Sequence, residues 1–312
     1  MIKKYLLNKR TVISFVVSFI IISYIFLKIN LDELILVLRN TNIFYYIIAF
    51  FMFYISILIK SYRWKIMLEN IDISIKLIDS FKIYFLSMFV NSLVPAKLGD
   101  VYRGYLLKKK TNKSISLGFG TVFIERILDL ITMITLLFFS AYFSFKSDIP
   151  KDILLSIKWG CIFILILIFS IILFILFNKK IKIKRFDISN ILINFEKGLR
   201  VIDLQSLPTV LFLSYIGWIV EGLTVYFVFL SLKINLGLLF SIFSDLASSL
   251  LTAVPITPSG LGIVEYALIY ILNLKNLDYS LAFAVLILYR GITYFSIILF
   301  GSVIYLIESI KK

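Results

Sequence analysis

The feature that most constrains this chain is a set of apolar runs too long and too continuous for a soluble core. Residues 12–27, 43–59, 115–145, 153–177, 209–232 and 279–307 each approach or exceed the length that crosses a bilayer's hydrocarbon. In lipid the backbone must satisfy its own hydrogen bonds, which leaves helices and closed barrels. Barrel strands alternate polar and apolar in segments of about ten residues, and these runs do not. With 61% of residues hydrophobic and only 16% charged, the reading is an all-α polytopic membrane protein. The first run follows Lys3-Lys4 and Lys9-Arg10, as a signal peptide would. No small-x-small cleavage site follows it, so it is expected to be an uncleaved first helix.

Two apolar runs are interrupted. Residues 81–107 are broken at Asn91-Ser92-Leu93-Val94-Pro95-Ala96-Lys97-Leu98-Gly99-Asp100-Val101-Tyr102-Arg103, and residues 236–274 at Val254-Pro255-Ile256-Thr257-Pro258-Ser259-Gly260-Leu261-Gly262-Ile263-Val264-Glu265. Irregular backbone and charge at membrane depth are tolerated only against protein or a water-filled cavity. The 33 Lys and Arg against 18 Asp and Glu give a net charge of +15. That charge sits in short loops, so it speaks of orientation and not of a nucleic-acid partner. If 81–107 enters and returns on one side, the basic stretches 3–10, 60–65, 108–113, 179–185 and 311–312 all face the cytoplasm. The expected topology is about six full spans plus two oppositely oriented re-entrant hairpins, multi-pass in the cell membrane, with both termini cytoplasmic.

The order span, hairpin, span occurs twice with every direction reversed, which is the footprint of an inverted repeat and points to a midplane site. The expected organisation is a single transmembrane domain, 1–312, with repeats over 43–145 and 209–308 and an N-terminal helix and interfacial segment over 1–42. Arg126 follows Gly99 by 27 positions and Arg290 follows Gly262 by 28. At about 1.5 Å rise per residue, both arginines would lie roughly 20 Å from their nearer loops. Gly99 and Gly262 are expected at tight tips, with Gly118 and Gly301 the more tolerant positions inside continuous helices. Leu31, Leu34, Ile35 and Leu38 share one helical face, as do Ile188, Ile191, Leu192, Phe195, Leu199 and Ile202; both read as helices at the headgroup boundary.

Charges inside the apolar runs need partners or water. Glu125, Arg126 and Asp129 share one helix; Glu221, Asp245, Glu265 and Arg290 belong to the second half. Two readings stay open. One is a structural ion-pair network. In the other, Arg103, Arg126 and Arg290 grip an anionic headgroup, helped by amides near Gly99 and Gly262, while Asp100, Glu125, Asp129 and Glu265 hold the guanidiniums between substrates. Ser61-Tyr62-Arg63-Trp64-Lys65 reads as an aromatic-basic anchor at the membrane interface, with substrate contact as the alternative. The absence of His and the single Cys161 exclude imidazole metal sites and an internal disulfide. No nucleotide-binding loop, metal cluster or nucleophile–base pair stands out, so no cofactor, no metal and no enzymatic activity are expected.

Tyr62-Arg63-Trp64, Asn91 with Pro95, Gly99-Asp100 and Arg103, Glu125-Arg126 with Asp129, Thr257-Pro258 with Gly260-Leu261-Gly262 and Glu265, and Arg290 together resemble the flippase-like transmembrane region of lysylphosphatidylglycerol synthases. The likeness runs over nearly the whole chain. Asp100 stands where that family more often has Glu, Lys97 falls in the first tip, and Ser259 interrupts the usual Pro-Gly-Gly. No segment resembles the soluble aminoacyl-transfer domain. The resemblance therefore implies lipid translocation: a transporter or flippase, with the bilayer and a membrane lipid as partners. The headgroup would be polar and phosphate-bearing, on a phospholipid, glycolipid or polyprenyl-phosphate-linked lipid. Two alternatives remain. One is a non-catalytic subunit docking a glycosyltransferase or lipid synthase partner. The other is a polyprenyl-phosphate phosphatase or transferase using Mg²⁺ on Glu125, Asp129 or Glu265.

Overall fold

A computed structural model describes Leu27 and residues 30–94, 97–145, 149–178, 186–253 and 260–310. The expected first helix over 12–27 lies outside these residues, as do Pro95 and the prolines of the second break. The described chain runs α1 (Leu31–Arg39), α2 (Ile43–Glu69), α3 (Leu77–Leu93), α4 (Leu98–Thr111), α5 (Ile115–Ser144), α6 (Lys151–Asn178), α7 (Phe186–Leu199), α8 (Leu207–Ser231), α9 (Leu238–Ala253), α10 (Ile263–Asn273), α11 (Tyr279–Arg290) and α12 (Ser296–Ile310). Among the described residues there is no strand. Helices α2, α6 and α8, and the continuous stretch Tyr279–Glu308, are long and apolar enough to cross a membrane. Helix α5, at 30 residues, is also long enough but carries Glu125, Arg126 and Asp129. The fold is that of an all-α polytopic membrane protein.

Local chemistry fixes several helix starts. Ser114 accepts from the Leu117 amide at 3.2 Å to open α5, and Asp278 from the Leu281 amide at 2.8 Å to open α11. Both interrupted runs become pairs of short helices. The α3–α4 pair has 17 and 14 residues and the α9–α10 pair 16 and 11, each below the roughly 20 residues of a full span.

The second break needs its glycines: Gly260 and Gly262 have φ of +71° and +88°, and Gly262 caps α10. The first break differs from expectation. Its left-handed residue is Lys97, with φ +54°, while Gly99 already lies in the first turn of α4. The turn closes two residues earlier than the glycine suggested. Gly118 and Gly301 are not the tolerant positions expected of them. A Cβ on Gly118 would stand 2.8 Å from Gly104 Cα, and one on Gly301 would stand 2.6 Å from Phe89. Close helix approach, which sequence does not show, fixes both.

The chain divides into two compact units. The first comprises Ile57–Ser87 and Asp100–Gly217. Its core packs Trp64, Leu68, Ile73, Ile75 and Ile83 against Leu107 and Leu117, and Met67 with Leu128, Val201 and Val210. Here α7 lies hard against α5, because Gly120 and Gly198 let the backbones meet: a Cβ on Gly120 would come 2.5 Å from the Phe195 carbonyl. Phe195 stacks on Phe119, while Ile191 and Ile193 stay exposed.

The second unit comprises Met1–Ser56, Met88–Gly99 and Trp218–Lys312. In it α10 packs between α9 and α11, and α1 lies on α11. Its last long helix changes pitch immediately after Arg290, where Gly291–Phe295 forms a π turn. Side chains take up carbonyls around this turn. Tyr46 donates to the Leu288 carbonyl at 3.2 Å and Thr293 to the Tyr289 carbonyl at 3.0 Å. Ser296 donates to the Ile292 carbonyl and pairs with Tyr54 at 2.8 Å.

Candidate functional site: two buried acid–arginine clusters

Successive turns of α5 in the first unit present Glu125, Arg126 and Asp129. Arg63, from α2, reaches both carboxylates at once, with Nη2 2.8 Å from Glu125 Oε1 and Nη1 2.8 Å from Asp129 Oδ1. Its Nη1 also donates to Ser214 Oγ at 2.6 Å. Arg103, from α4, sets Nη1 2.8 Å from Glu125 Oε2. The Arg103 guanidinium lies over the Trp64 ring at 3.9 Å and the Tyr84 ring at 4.3 Å, and Trp64 is held by its Nε1 donating to Thr121 Oγ1 at 3.1 Å.

Arg126 grips Asp100 side-on, Nε to Oδ2 at 3.1 Å and Nη2 to Oδ1 at 2.9 Å, and touches Asp129 through Nη1 at 3.4 Å. Arg63 and Arg103 are sealed in, whereas the Arg126 side chain keeps 35% of its surface exposed. Lys60 is also buried and within electrostatic reach of Asp129. Taking this many charges out of water is expensive even when they are paired. A guanidinium stays charged under such burial and spreads its donors over several oxygens.

The second unit repeats part of the pattern. Glu265 accepts from Arg290 Nε at 2.6 Å through one oxygen and from the Gly262 amide at 2.5 Å through the other. One carboxylate thus caps α10 and anchors the arginine. Nearby, Tyr289 donates to Asp245 at 2.8 Å and Ser56 to Glu221 at 3.2 Å. In both units an acid early in the second short helix binds an arginine of a following helix, 26 positions on from Asp100 and 25 from Glu265.

Of the residues singled out from sequence, Asp100, Arg103, Glu125, Arg126 and Asp129 come together in the first unit, and Gly262, Glu265 and Arg290 in the second. Gly99 belongs to neither cluster, and its amide donates to Asn91 Oδ1 at 2.8 Å. The Gly99 and Gly262 amides, read as anion donors, are thus already engaged by Asn91 and Glu265. Arg63 and Trp64 are the residues sequence reasoning misplaced. They are fully buried, not interface anchors; only Tyr62 of that stretch is strongly exposed. A signal existed: Lys60, Trp64, Met67 and Leu68 continue a buried helical stripe past residue 59. The carboxylates considered as Mg²⁺ ligands, Glu125, Asp129 and Glu265, are each held by arginine.

The family described as the lysylphosphatidylglycerol synthase TM region matches residues 11–301, which contain both clusters and both short-helix pairs. The chain belongs to that family. Within the curated proteins it is similar to UPF0104 membrane protein MJ1078 of Methanocaldococcus jannaschii, 70% identical over 220 residues, covering 70% of this chain and 94% of that one. It is also similar to UPF0104 membrane protein MJ1595 of the same organism, 28% identical with 93% and 92% covered. A third, UPF0104 membrane protein PH1989 of Pyrococcus horikoshii, is 26% identical with 89% and 91% covered.

Proposed function

We propose that the protein moves a lipid with a polar, phosphate-bearing headgroup across a membrane, and that the arginine cluster of the first unit receives the headgroup. The observation that carries this reading is Arg126. It sits mid-helix in a membrane protein, is bonded to two carboxylates, and still keeps 35% of its side chain exposed. A purely structural ion pair gains nothing from that opening. A headgroup site requires it, because the anion must displace Asp100 or Asp129 to reach the guanidinium. The matched acid–arginine pairs in α4–α5 and α10–α11 support an inverted repeat, with Arg290 the corresponding contact in the second half. The short-helix pairs are then re-entrant, and the basic loops and both termini face the cytoplasm.

The test is headgroup movement in proteoliposomes, measured with a fluorescent phospholipid and a membrane-impermeant quencher. Arg126→Ala and Arg290→Ala should each weaken headgroup binding about ten- to a hundredfold, the equivalent of roughly 1.5–3 kcal/mol of charge-assisted hydrogen bonding. Lys at either position should restore part of the movement, since it keeps the charge and loses the fork. Full movement by a well-folded double Ala variant would rule the reading out.

A further inference from the structure

We infer that Tyr294 is a latch between the two helix breaks, set by the π turn in which it stands, so that a change at the second break is felt at the first. The inference goes beyond the transport reading and does not depend on what the protein carries. Every residue in it belongs to the second unit. The first break begins where α3 runs out. The last four carbonyls of a helix have no backbone partner inside it and need donors from elsewhere. Tyr294 supplies one: its hydroxyl donates to the Ser92 carbonyl, one residue before the end of α3, at 3.2 Å. Toward the second break, the same ring lies 5.9 Å from the Arg290 guanidinium. Arg290 is held by Glu265, and Glu265 by the Gly262 amide. One line of contacts thus runs from Gly262 in the second break to Ser92 at the edge of the first.

Such a line becomes a switch only if part of it has two arrangements. The π turn is that part. The Ser296 amide reaches back five residues to the Gly291 carbonyl, and the extra residue this stores can pass along the helix as carbonyls exchange amide partners. The exchange strands no carbonyl here. Those of Leu288, Tyr289 and Ile292 each have a side-chain donor as well, from Tyr46, Thr293 and Ser296. Beyond the turn, α12 offers α3 a definite face. A Cβ on Gly301 would stand 2.6 Å from Phe89, and the Phe89 and Tyr305 rings are 6.2 Å apart. In an uninterrupted helix that face would overlap the one carrying Arg290, and the π turn holds the two apart. Tyr294, inside the turn, serves both. Moving the turn withdraws Tyr294 from Ser92 and swings the face under Phe89, so the end of α3 loses its cap and its support together. Arg290, before the turn, is the part that senses Glu265.

The experiment is hydrogen exchange read by mass spectrometry on the full chain in detergent micelles, followed in peptides covering residues 86–94. Tyr294→Phe keeps the ring beside Arg290 and removes only the donor, so exchange at the end of α3 should rise about two- to tenfold, the worth of one hydrogen bond. Glu265→Gln alters neither α3 nor Tyr294 but loosens Arg290, and it should raise exchange in the same peptides by at least about twofold. Unchanged exchange there in Tyr294→Phe overturns the latch. A rise in Tyr294→Phe with none in Glu265→Gln overturns the coupling and leaves a capping hydrogen bond alone. If Glu265→Gln does not fold, Arg290→Lys takes its place: it keeps the charge and gives up the Nε bond to Glu265, with the same two outcomes. A rise of equal size across α6, in the other unit, means general loosening and overturns the latch as well. The two readings fail separately. Absence of headgroup movement in proteoliposomes leaves the exchange results standing, and absence of the latch leaves movement standing.

Discussion

Arg63 spans Glu125 and Asp129 in the dry interior of the first unit, so its loss leaves two carboxylates facing each other one turn apart. Arg63→Ala is expected to destabilise the protein by roughly 3–5 kcal/mol, the cost of breaking a buried pair from one side. Neutralising Asp129 in the same chain, Asp129→Asn, should return part of that loss, because Glu125 still pairs with Arg103 and Asp100 with Arg126. Thermal unfolding in detergent reads both; an Arg63→Ala protein as stable as wild type would remove Arg63 from the network. The three charges of α5 were legible in sequence because each interrupts an otherwise apolar helix. Arg63 was not, because it lies past the end of its apolar run, where a basic residue beside Tyr and Trp looks like a headgroup anchor. The Asp100–Arg126 bond joins residues 26 positions apart, and no local periodicity reports such a contact.

At the scale of elements, the contact of α7 with α5 depends on two glycines. A Cβ on Gly198 would run into the Leu117 carbonyl, and one on Gly120 would stand 2.5 Å from the Phe195 carbonyl. Because the obstruction is backbone, neither helix has a flexible neighbour to move aside. Gly198→Ala is expected to cost about 1–3 kcal/mol by overpacking and to free α7 for proteolysis. Limited digestion beside a thermal melt measures this, and an unchanged cleavage pattern would mean the helices do not depend on that approach. Sequence identified α7 as amphipathic from its spaced Ile, Leu and Phe. It could not say that the helix also docks through Gly198, because a glycine is silent in a hydrophobicity pattern. Breaks in apolar runs were easier to read, since Pro and Gly announce them. Which residue turns left-handed was not: Lys97 rather than Gly99 does so in the first.

At the scale of the whole molecule, the proposed topology is open to cysteine labelling in a Cys161→Ala background. Cysteines replacing Lys151 and Lys275 should react with an impermeant thiol reagent added outside intact cells, and one replacing Lys110 should not. Reaction at Lys110 from outside would overturn the re-entrant arrangement of α3–α4 and the inverted repeat with it. The helical, membrane-crossing character of the fold was legible because apolar runs of bilayer length have few other solutions. The division of the chain into two compact units was not. Each gathers distant segments, Ile57–Ser87 with Asp100–Gly217 in one case, and that partition follows from packing alone.

The π turn at Gly291–Phe295 puts two indexing schemes into one helix. A π turn amounts to one extra residue in an α-helix, so everything downstream is rotated by about 100° relative to an uninterrupted helix. Arg290 is aligned to Glu265 by the first scheme, and Ser296 to Tyr54 by the second. No substitution can reconcile the two, whereas deleting a single residue between 291 and 295 should. Such a deletion ought to yield a straighter helix that keeps one of these contacts and surrenders the other.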